Sequence, residues 1–289
     1  MKLSKFPVLE LLAMALFLVY MIPFLLVLIN SSKPSLVIIM DPLSMPENWN
    51  QLARNMQAIL TSDTVRYVSS FISSVIITVA SVGLLVLISS MAAWVLVRTK
   101  SRLSGVIFMV FVAAMVIPFQ VVMFPLVSWF SRIETAMGLV NTPFRLLQNY
   151  PGIVISYLGF GSSLSIFLYH GFIKSIPVEL EEAATIDGCS KIGVFFRIIF
   201  PILKPITITV MILNGIWIWN DYLLPLMVLG TGNDIQTIPL AVAHFVGSFV
   251  RRWDLILAAM LMAMLPIVIV FLFLQKHIIK GMVDGSIKG

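Results

Sequence analysis

The sequence predicts an all-α polytopic membrane protein with six transmembrane helices. Three observations carry the prediction. Hydrophobic residues make up 60% of the 289 and charged residues 11%, where an ordinary soluble domain carries about 25% charged. Mean hydropathy is +1.03. Polar turns divide the chain into apolar runs near or above the roughly 20 residues that cross a bilayer as a helix. The net charge of +6 is spread over those turns without the aromatic interleaving of a nucleic-acid surface, so it reads as membrane topology.

The first span covers about 6–29. Lys2 and Lys5 ahead of it imitate a signal peptide, but the apolar run is too long for an h-region and no small-x-small site follows, which predicts an uncleaved anchor. Glu10 is placed to snorkel to the interface beside Lys5, and Pro23 to kink the helix. Residues Asn30 to Arg66 form a polar loop with a short helix expected from Pro46, suited to cover a channel mouth or meet a partner. The second span, about 67–97, is long enough to tilt. Its Ser73, Ser74, Ser81, Gly83, Ser89 and Ser90 permit close helix packing.

Arg98, Lys100 and Arg102 make a basic turn before the third span, about 103–127, which contains Pro118, Gln120 and Pro125. Gln120 either satisfies backbone groups freed by Pro118 or faces a polar pathway. The fourth span, about 152–172, is expected to break near Gly159, Gly161, Ser162 and Ser163. The fifth, about 206–229, carries Asn214, Trp217 and Asp221 on one helix face. Such a face suits sugar hydroxyls, with apolar pyranose surface stacking on the indole. The alternative is an interfacial aromatic belt of Trp217, Trp219 and Tyr222, with Asn220 and Asp221 capping the span. An external loop with Asp234, Arg251, Arg252 and Asp254 leads to the sixth span, about 255–274, and the tail KHIIKGMVDGSIKG.

Charge bias orients the bundle. With the N-terminus inside, Lys2, Lys5, Arg98, Lys100, Arg102, Lys174, Lys191, Arg197, Lys204, Lys276, Lys280 and Lys288 fall on the inner side. Lys33, Arg54, Arg66, Arg132, Arg145, Arg251 and Arg252 fall outside. Twelve and seven together account for all 19 basic residues, and the excess places both termini in the cytoplasm.

The same topology puts a long polar-flanked loop, 175–205, inside, between spans four and five. Ser175 and Pro177 look like a helix start. Glu179, Glu181 and Glu182 suit the positive end of a helix dipole, and Ala183 and Ala184 add helix propensity with little bulk. Asp187-Gly188 is a stop signal, since Gly accepts the left-handed conformation that ends many helices. Ser190 can cap a second helix carrying Phe195, Phe196 and Ile199 toward Pro201 and Pro205. The outcome is a short helix, a tight turn and another helix, exposed between spans.

Glu182-Ala183-Ala184, Gly188, Ile198 and Pro201 reproduce the spacing of the EAA loop, so the chain resembles the permease subunits of ABC importers, with Asp187 beside Gly188 among the coupling residues this implies. Phe200 stands where that motif usually has Leu. The resemblance implies that this loop holds a cytoplasmic coupling helix docking in a groove of an ATPase subunit, with Ala183 and Ala184 against that partner. The segments NDYLLPL and GMVDGSIKG resemble the smaller permeases of maltose- and raffinose-type importers. This resemblance implies one permease domain over 1–289 in the cytoplasmic (inner) membrane, paired with a second, different permease. Two ATPase subunits that bind ATP and Mg, and an extracytoplasmic sugar-binding protein, complete the implied assembly.

Other chemistry finds no foothold in the sequence. It contains no G-x-x-x-x-G-K-[ST] phosphate loop, so ATP binding and hydrolysis are expected of partner subunits and no cofactor of this chain. It contains no H-E-x-x-H, no nucleophile elbow and one cysteine, Cys189, which excludes an internal disulfide. His170, His244 and His277 lie far apart, so no metal site is expected. The alternatives are an importer permease for a polyamine or peptide, and an ATP-independent secondary transporter. The latter has only Glu10 and Asp221 as intramembrane carboxylates, both near span ends.

Overall fold

The computed structural model describes residues 6–62, 66–248 and 252–286. Among the described residues every regular element is a helix, as a chain crossing lipid by helices requires. In order they are α1 (Phe6–Asn30), α2 (Ser35–Met40), α3 (Asn50–Leu60), α4 (Tyr67–Arg98), α5 (Arg102–Ala114), α6 (Phe119–Met137) and α7 (Tyr150–Ile173). There follow α8 (Glu179–Ile186), α9 (Lys191–Val194), a π-helical turn (Phe195–Ile199), α10 (Phe200–Ile202), α11 (Lys204–Asn220), α12 (Leu223–Val228), α13 (Ile238–Ser248) and α14 (Trp253–Ser286). Among the described residues four stretches are long and apolar enough to cross a membrane: Val8–Asn30, Tyr67–Arg98, Tyr150–Ile173 and Trp253–Phe273. The count reaches six where each of two bent helix pairs is taken as one span. Lys2, Lys5, Arg251, Lys288 and the last three residues of GMVDGSIKG lie outside the described residues.

The chain divides into two compact units, Met1–Val68 with Ala241–Pro266, and Ser69–Leu240 with Ile267–Gly289. In the first, α1 is apolar and exposed all round, with Leu9, Leu12, Phe17 and Tyr20 uncovered, the pattern of a helix whose solvent is lipid. The loop after it is a folded polar knot. Lys33 is fully buried, and its Nζ donates to Asn30 Oδ1 (3.1 Å) and to the carbonyls of Asp41 (3.1 Å) and Pro42 (3.3 Å). Asn55 on α3 donates to the Ser31 carbonyl (2.9 Å). Ser35 donates to Asp254 (2.5 Å), which also pairs with Arg252. Every one of these groups would be costly to bury unpaired. The helix expected from Pro46 starts at Asn50.

In the second unit α4 supplies the central seam. Its Ser70, Ser73, Ser74, Ser81, Ser89 and Ser90 are all buried, so these small side chains serve close packing. Ser73 shares a hydrogen bond with Tyr150 (2.9 Å), and Ser74 accepts from the backbone N–H of Ile238 (2.8 Å).

Three expectations about spans are corrected. The third is not one helix over 103–127: α5 and α6 meet at 106°. Pro118 has no N–H to give the ladder and drives Ile117 away from helical geometry. The fourth is not broken at its glycines and serines, since α7 runs unbroken from Tyr150 to Ile173. Gly161 instead lets neighbours in: a Cβ there would stand 2.7 Å from the Leu85 side chain and 2.8 Å from that of Asn214. The fifth helix ends at Asn220, where Asp221 turns extended (φ −73°, ψ 133°) and α12 begins afresh. The stretch before the sixth span, expected as a loop, contains a helix, α13, that polar content alone did not announce.

Candidate functional site

The loop between α7 and α11 folds as a knob. Ser175 does not open it: its hydroxyl donates back to the Phe172 carbonyl (2.8 Å), closing α7. The first turn of α8 is instead formed by the N–H groups of Glu181 (2.9 Å) and Glu182 (3.1 Å) on the Val178 carbonyl. The helix ends as Asp187-Gly188 predicts. Gly188 has φ +86°, its N–H reaches the Thr185 carbonyl (3.0 Å), and the Cys189 N–H reaches that of Ala184 (3.0 Å). These two bonds are the pair that closes a Schellman motif. Ser190 then caps the next helix, accepting from Gly193 N–H (3.2 Å).

Beyond the cap the chain is bent by its prolines. Phe200 N–H bonds the Phe195 carbonyl across the π turn, one residue before Pro201, which can donate nothing. The stretch Lys191–Ile202 then meets α11 at 76°, with Pro205 in the first turn of α11. Pro201 is exposed and Ile198 half-buried against the core.

The faces of α8 divide sharply. Glu182, Ala183 and Asp187 are exposed, and Ile186 is 86% exposed. Val178, Leu180, Ile192 and Phe196 are exposed apolar neighbours. Ala184 differs from expectation, because it is buried in the chain's own core and presents nothing outward. Glu181, adjacent to Glu182, is only 9% exposed. Its Oε1 accepts from Arg98 Nε (2.7 Å) and its Oε2 from the Trp94 indole N–H (3.0 Å). Sequence reasoning assigned Glu181 only to the helix dipole. The i, i+3 step to Ala184 puts both on one face of α8, but with Ala184 expected to face a partner it gave no signal that this face turns inward.

The fifth-span residues lie elsewhere in this unit, on a seam between α7 and α11. Asn214 is 2% exposed, and its Nδ2 donates to Ser165 Oγ (3.0 Å) and to the Val210 carbonyl (2.9 Å). Tyr157 donates to Asp221 (3.1 Å) and Tyr169 to Thr207 (3.0 Å). The partner numbers fall on α11 as they rise on α7, so the helices run antiparallel with three polar rungs. Asp221 also accepts from Leu223 N–H (3.1 Å), opening α12. Trp217 keeps 40% of its surface exposed and meets the buried Tyr157 ring edge-on at 5.5 Å. Gln120 is exposed in the first turn of α6, beside Phe119, which packs edge-on against Phe160 at 5.1 Å. The structure thus brings Trp217 and Asp221 around Tyr157, turns Asn214 inward, and does not join Gln120 to them. No group of three or more His, Cys, Asp or Glu suited to a metal ion occurs among the described residues.

Known proteins resemble this chain. The chain is 38% identical over 282 residues to the probable starch degradation products transport system permease protein AmyC of Thermoanaerobacterium thermosulfurigenes, covering 96% of this chain and 95% of that one. It is 41% identical over 222 residues to the melibiose/raffinose/stachyose import permease protein MelC of Bacillus subtilis, covering 76% of each. Its fold matches a crystal structure of a bacterial ABC transporter involved in the import of the acidic polysaccharide alginate, with a TM-score of 0.72 at 19% identity over 96% of this chain and 98% of that one. The family model of binding-protein-dependent transport system inner membrane components matches residues 85–284, which include the knob and the seam, and the chain belongs to that family.

Proposed function

We propose that this chain is a membrane subunit of an ATP-driven importer for a mono- or oligosaccharide. Its partners are a second, different permease, two cytoplasmic ATPase subunits that bind ATP and Mg, and an extracytoplasmic sugar-binding protein. The observation that carries the reading is the α8 knob. It holds an EAA-type helix, closed by a Schellman turn, whose outer face sets Glu182, Ala183 and Asp187 among exposed Val178, Leu180 and Ile186. A mixed apolar and acidic face of this kind, left uncovered by its own chain, suits a protein groove with a basic rim. The names of the relatives favour sugar, and the charge bias favours cytoplasmic termini, which puts the knob beside the ATPases.

ATP-driven closure of the ATPase pair would draw the knobs together and shift the bundle between inward- and outward-facing states. Ligand and nucleotide need only bias a bistable arrangement. Of the fifth-span residues, the part-exposed Trp217 is the one we assign to the route, with Asp221 and Gln120 as further candidates.

The test is uptake into proteoliposomes holding the complete complex, with labelled maltotriose and raffinose as probes. Uptake of a sugar that needs both ATP and the binding protein is expected. Uptake that persists without ATP, or a complex that moves a polyamine or peptide and no sugar, overturns the reading. In cells, a thiol placed at Glu182 after Cys189 is replaced should stay shielded from an impermeant reagent added outside.

A further inference from the structure

The knob is tied to α4 by a clasp that none of the knob's outward residues touches. Trp94 and Arg98 stand one helical turn apart on α4, on one face. Arg98 Nε donates to Glu181 Oε1 at 2.7 Å, while its Nη2 donates to the Ile176 carbonyl at 3.0 Å. The Trp94 indole donates to Glu181 Oε2 at 3.0 Å, and its ring lies against Phe195, centroids 5.4 Å apart. One pair of side chains therefore grips three consecutive parts of the loop: the linker before α8, α8 itself, and the helix after the Schellman turn. Both carboxylate oxygens of Glu181 are engaged, and the carboxylate is nearly covered. Apolar packing would bury this surface equally well. Charge-assisted, directional bonds add a fixed register along α4 that sliding apolar surfaces do not supply.

Resting on the coupling reading proposed above, we infer that Trp94, Arg98 and Glu181 are positioning residues that make α8 and the inner end of α4 move as one lever. Glu182 faces the partner and Glu181 faces the lever, so two neighbouring carboxylates divide contact from transmission. A transmission residue leaves docking intact and lowers the yield of each docking event.

The experiment uses the complete importer in nanodiscs with E181Q, R98Q, W94F and the charge-swapped pair R98E/E181R. It measures the ATPase subunit retained on purification, basal ATP hydrolysis, turnover at saturating binding protein, and the binding-protein concentration giving half-stimulation. E181Q and R98Q should retain the ATPase, basal hydrolysis and the half-stimulation point within about twofold, and lose about tenfold in stimulated turnover. R98E/E181R should recover to within about threefold of the unaltered complex. W94F, which keeps a ring against Phe195 and loses only the N–H donor, should fall about threefold and carries the test if a charge variant fails to assemble. Full stimulated turnover in E181Q, R98Q and W94F overturns the inference, and so does a swapped pair no better than the poorer single variant. Loss of the ATPase subunit from a complex whose membrane subunits still assemble overturns it too, because Glu181 would then serve docking. Failure of the underlying coupling reading shows separately: A183D, on the outer face, would keep both the ATPase and its stimulation.

Discussion

The α8 knob and the α7–α11 seam both carry polar residues in an apolar chain and put them to opposite uses. On the seam, Tyr157 with Asp221, Ser165 with Asn214, and Tyr169 with Thr207 close on one another at 3.0–3.1 Å. On the knob, Glu182 and Asp187 remain exposed, beside an Ile186 that is 86% exposed. The difference arises from the solvent. In hydrocarbon an unmatched polar group costs several kcal/mol, about the value of the few bonds it could otherwise make, so the seam must pair its groups internally. At a water-facing knob, polar groups can stay open to water, and exposed apolar groups mark a surface awaiting a protein. The polar residues of these two regions thus sort into those that hold helices together and those that point outward, and each class fails in its own way when altered.

The largest effect is expected at Gly188. A Cβ there would meet nothing within 4 Å, so the cost of a side chain is backbone strain alone, set by φ +86°. For a β-branched residue that strain is about 2 kcal/mol or more. Gly188→Val should therefore unmake the Schellman turn, leave the membrane bundle inserted, and lower binding-protein-stimulated ATP hydrolysis about tenfold or more. Gly188→Asn, which tolerates left-handed backbone, should stay within about threefold. Equal loss in both variants would locate the requirement in empty space around Gly188 rather than in its backbone, and the knob's geometry would no longer explain its role.

A smaller and different effect is expected on the seam. Asn214→Ala removes the bond across to Ser165 and leaves room beside Leu85 and Gly161. Interhelical hydrogen bonds in membranes are worth about 0.6–2 kcal/mol. The assembled complex should melt at lower temperature, while stimulated ATP hydrolysis per assembled complex stays within about twofold. Loss of coupling at unchanged melting temperature would break the division between seam and knob.

Which residues fall in which class was partly legible in the sequence. Composition and run length sufficed for an all-helical membrane chain, and the serine run of α4 for close packing. The turn at Asp187-Gly188 and the cap at Ser190 were legible because each depends on local backbone chemistry. What escaped was tertiary. Glu181 and Glu182 are indistinguishable by type and neighbours, and only the approach of Arg98 and Trp94 separates them. Ala183 and Ala184 part in the same way, one outward and one into the core. Gly159 and Gly161 suggested a break in α7 because glycine lowers helix propensity. The close approach of Leu85 and Asn214 at Gly161 is a reason for glycine that no window of local sequence contains. Pro118 was placed inside a single span, whereas it separates two helices that meet at 106°.

The finest test falls on Trp217, where the two classes meet on one helix. It lies on α11 three residues past the buried Asn214, yet keeps 40% of its surface exposed. Its only ring partner among the described residues is Tyr157, edge-on at 5.5 Å. An aromatic pair of this geometry contributes about 0.5–1.5 kcal/mol beyond its buried area, so Trp217→Phe, which keeps a ring against Tyr157, should lower the melting temperature less than Asn214→Ala does. If the exposed indole face stacks on a sugar ring along the route, Trp217→Ala should cut sugar uptake about threefold to tenfold while the complex assembles normally. Trp217→Phe, which keeps an aromatic face, should recover most of it. Equal uptake by the unaltered chain, Trp217→Ala and Trp217→Phe would return Trp217 to the interfacial belt. A fall in assembled complex that matches the fall in uptake would assign it to the seam, as a fourth rung made of ring contact instead of hydrogen bonds.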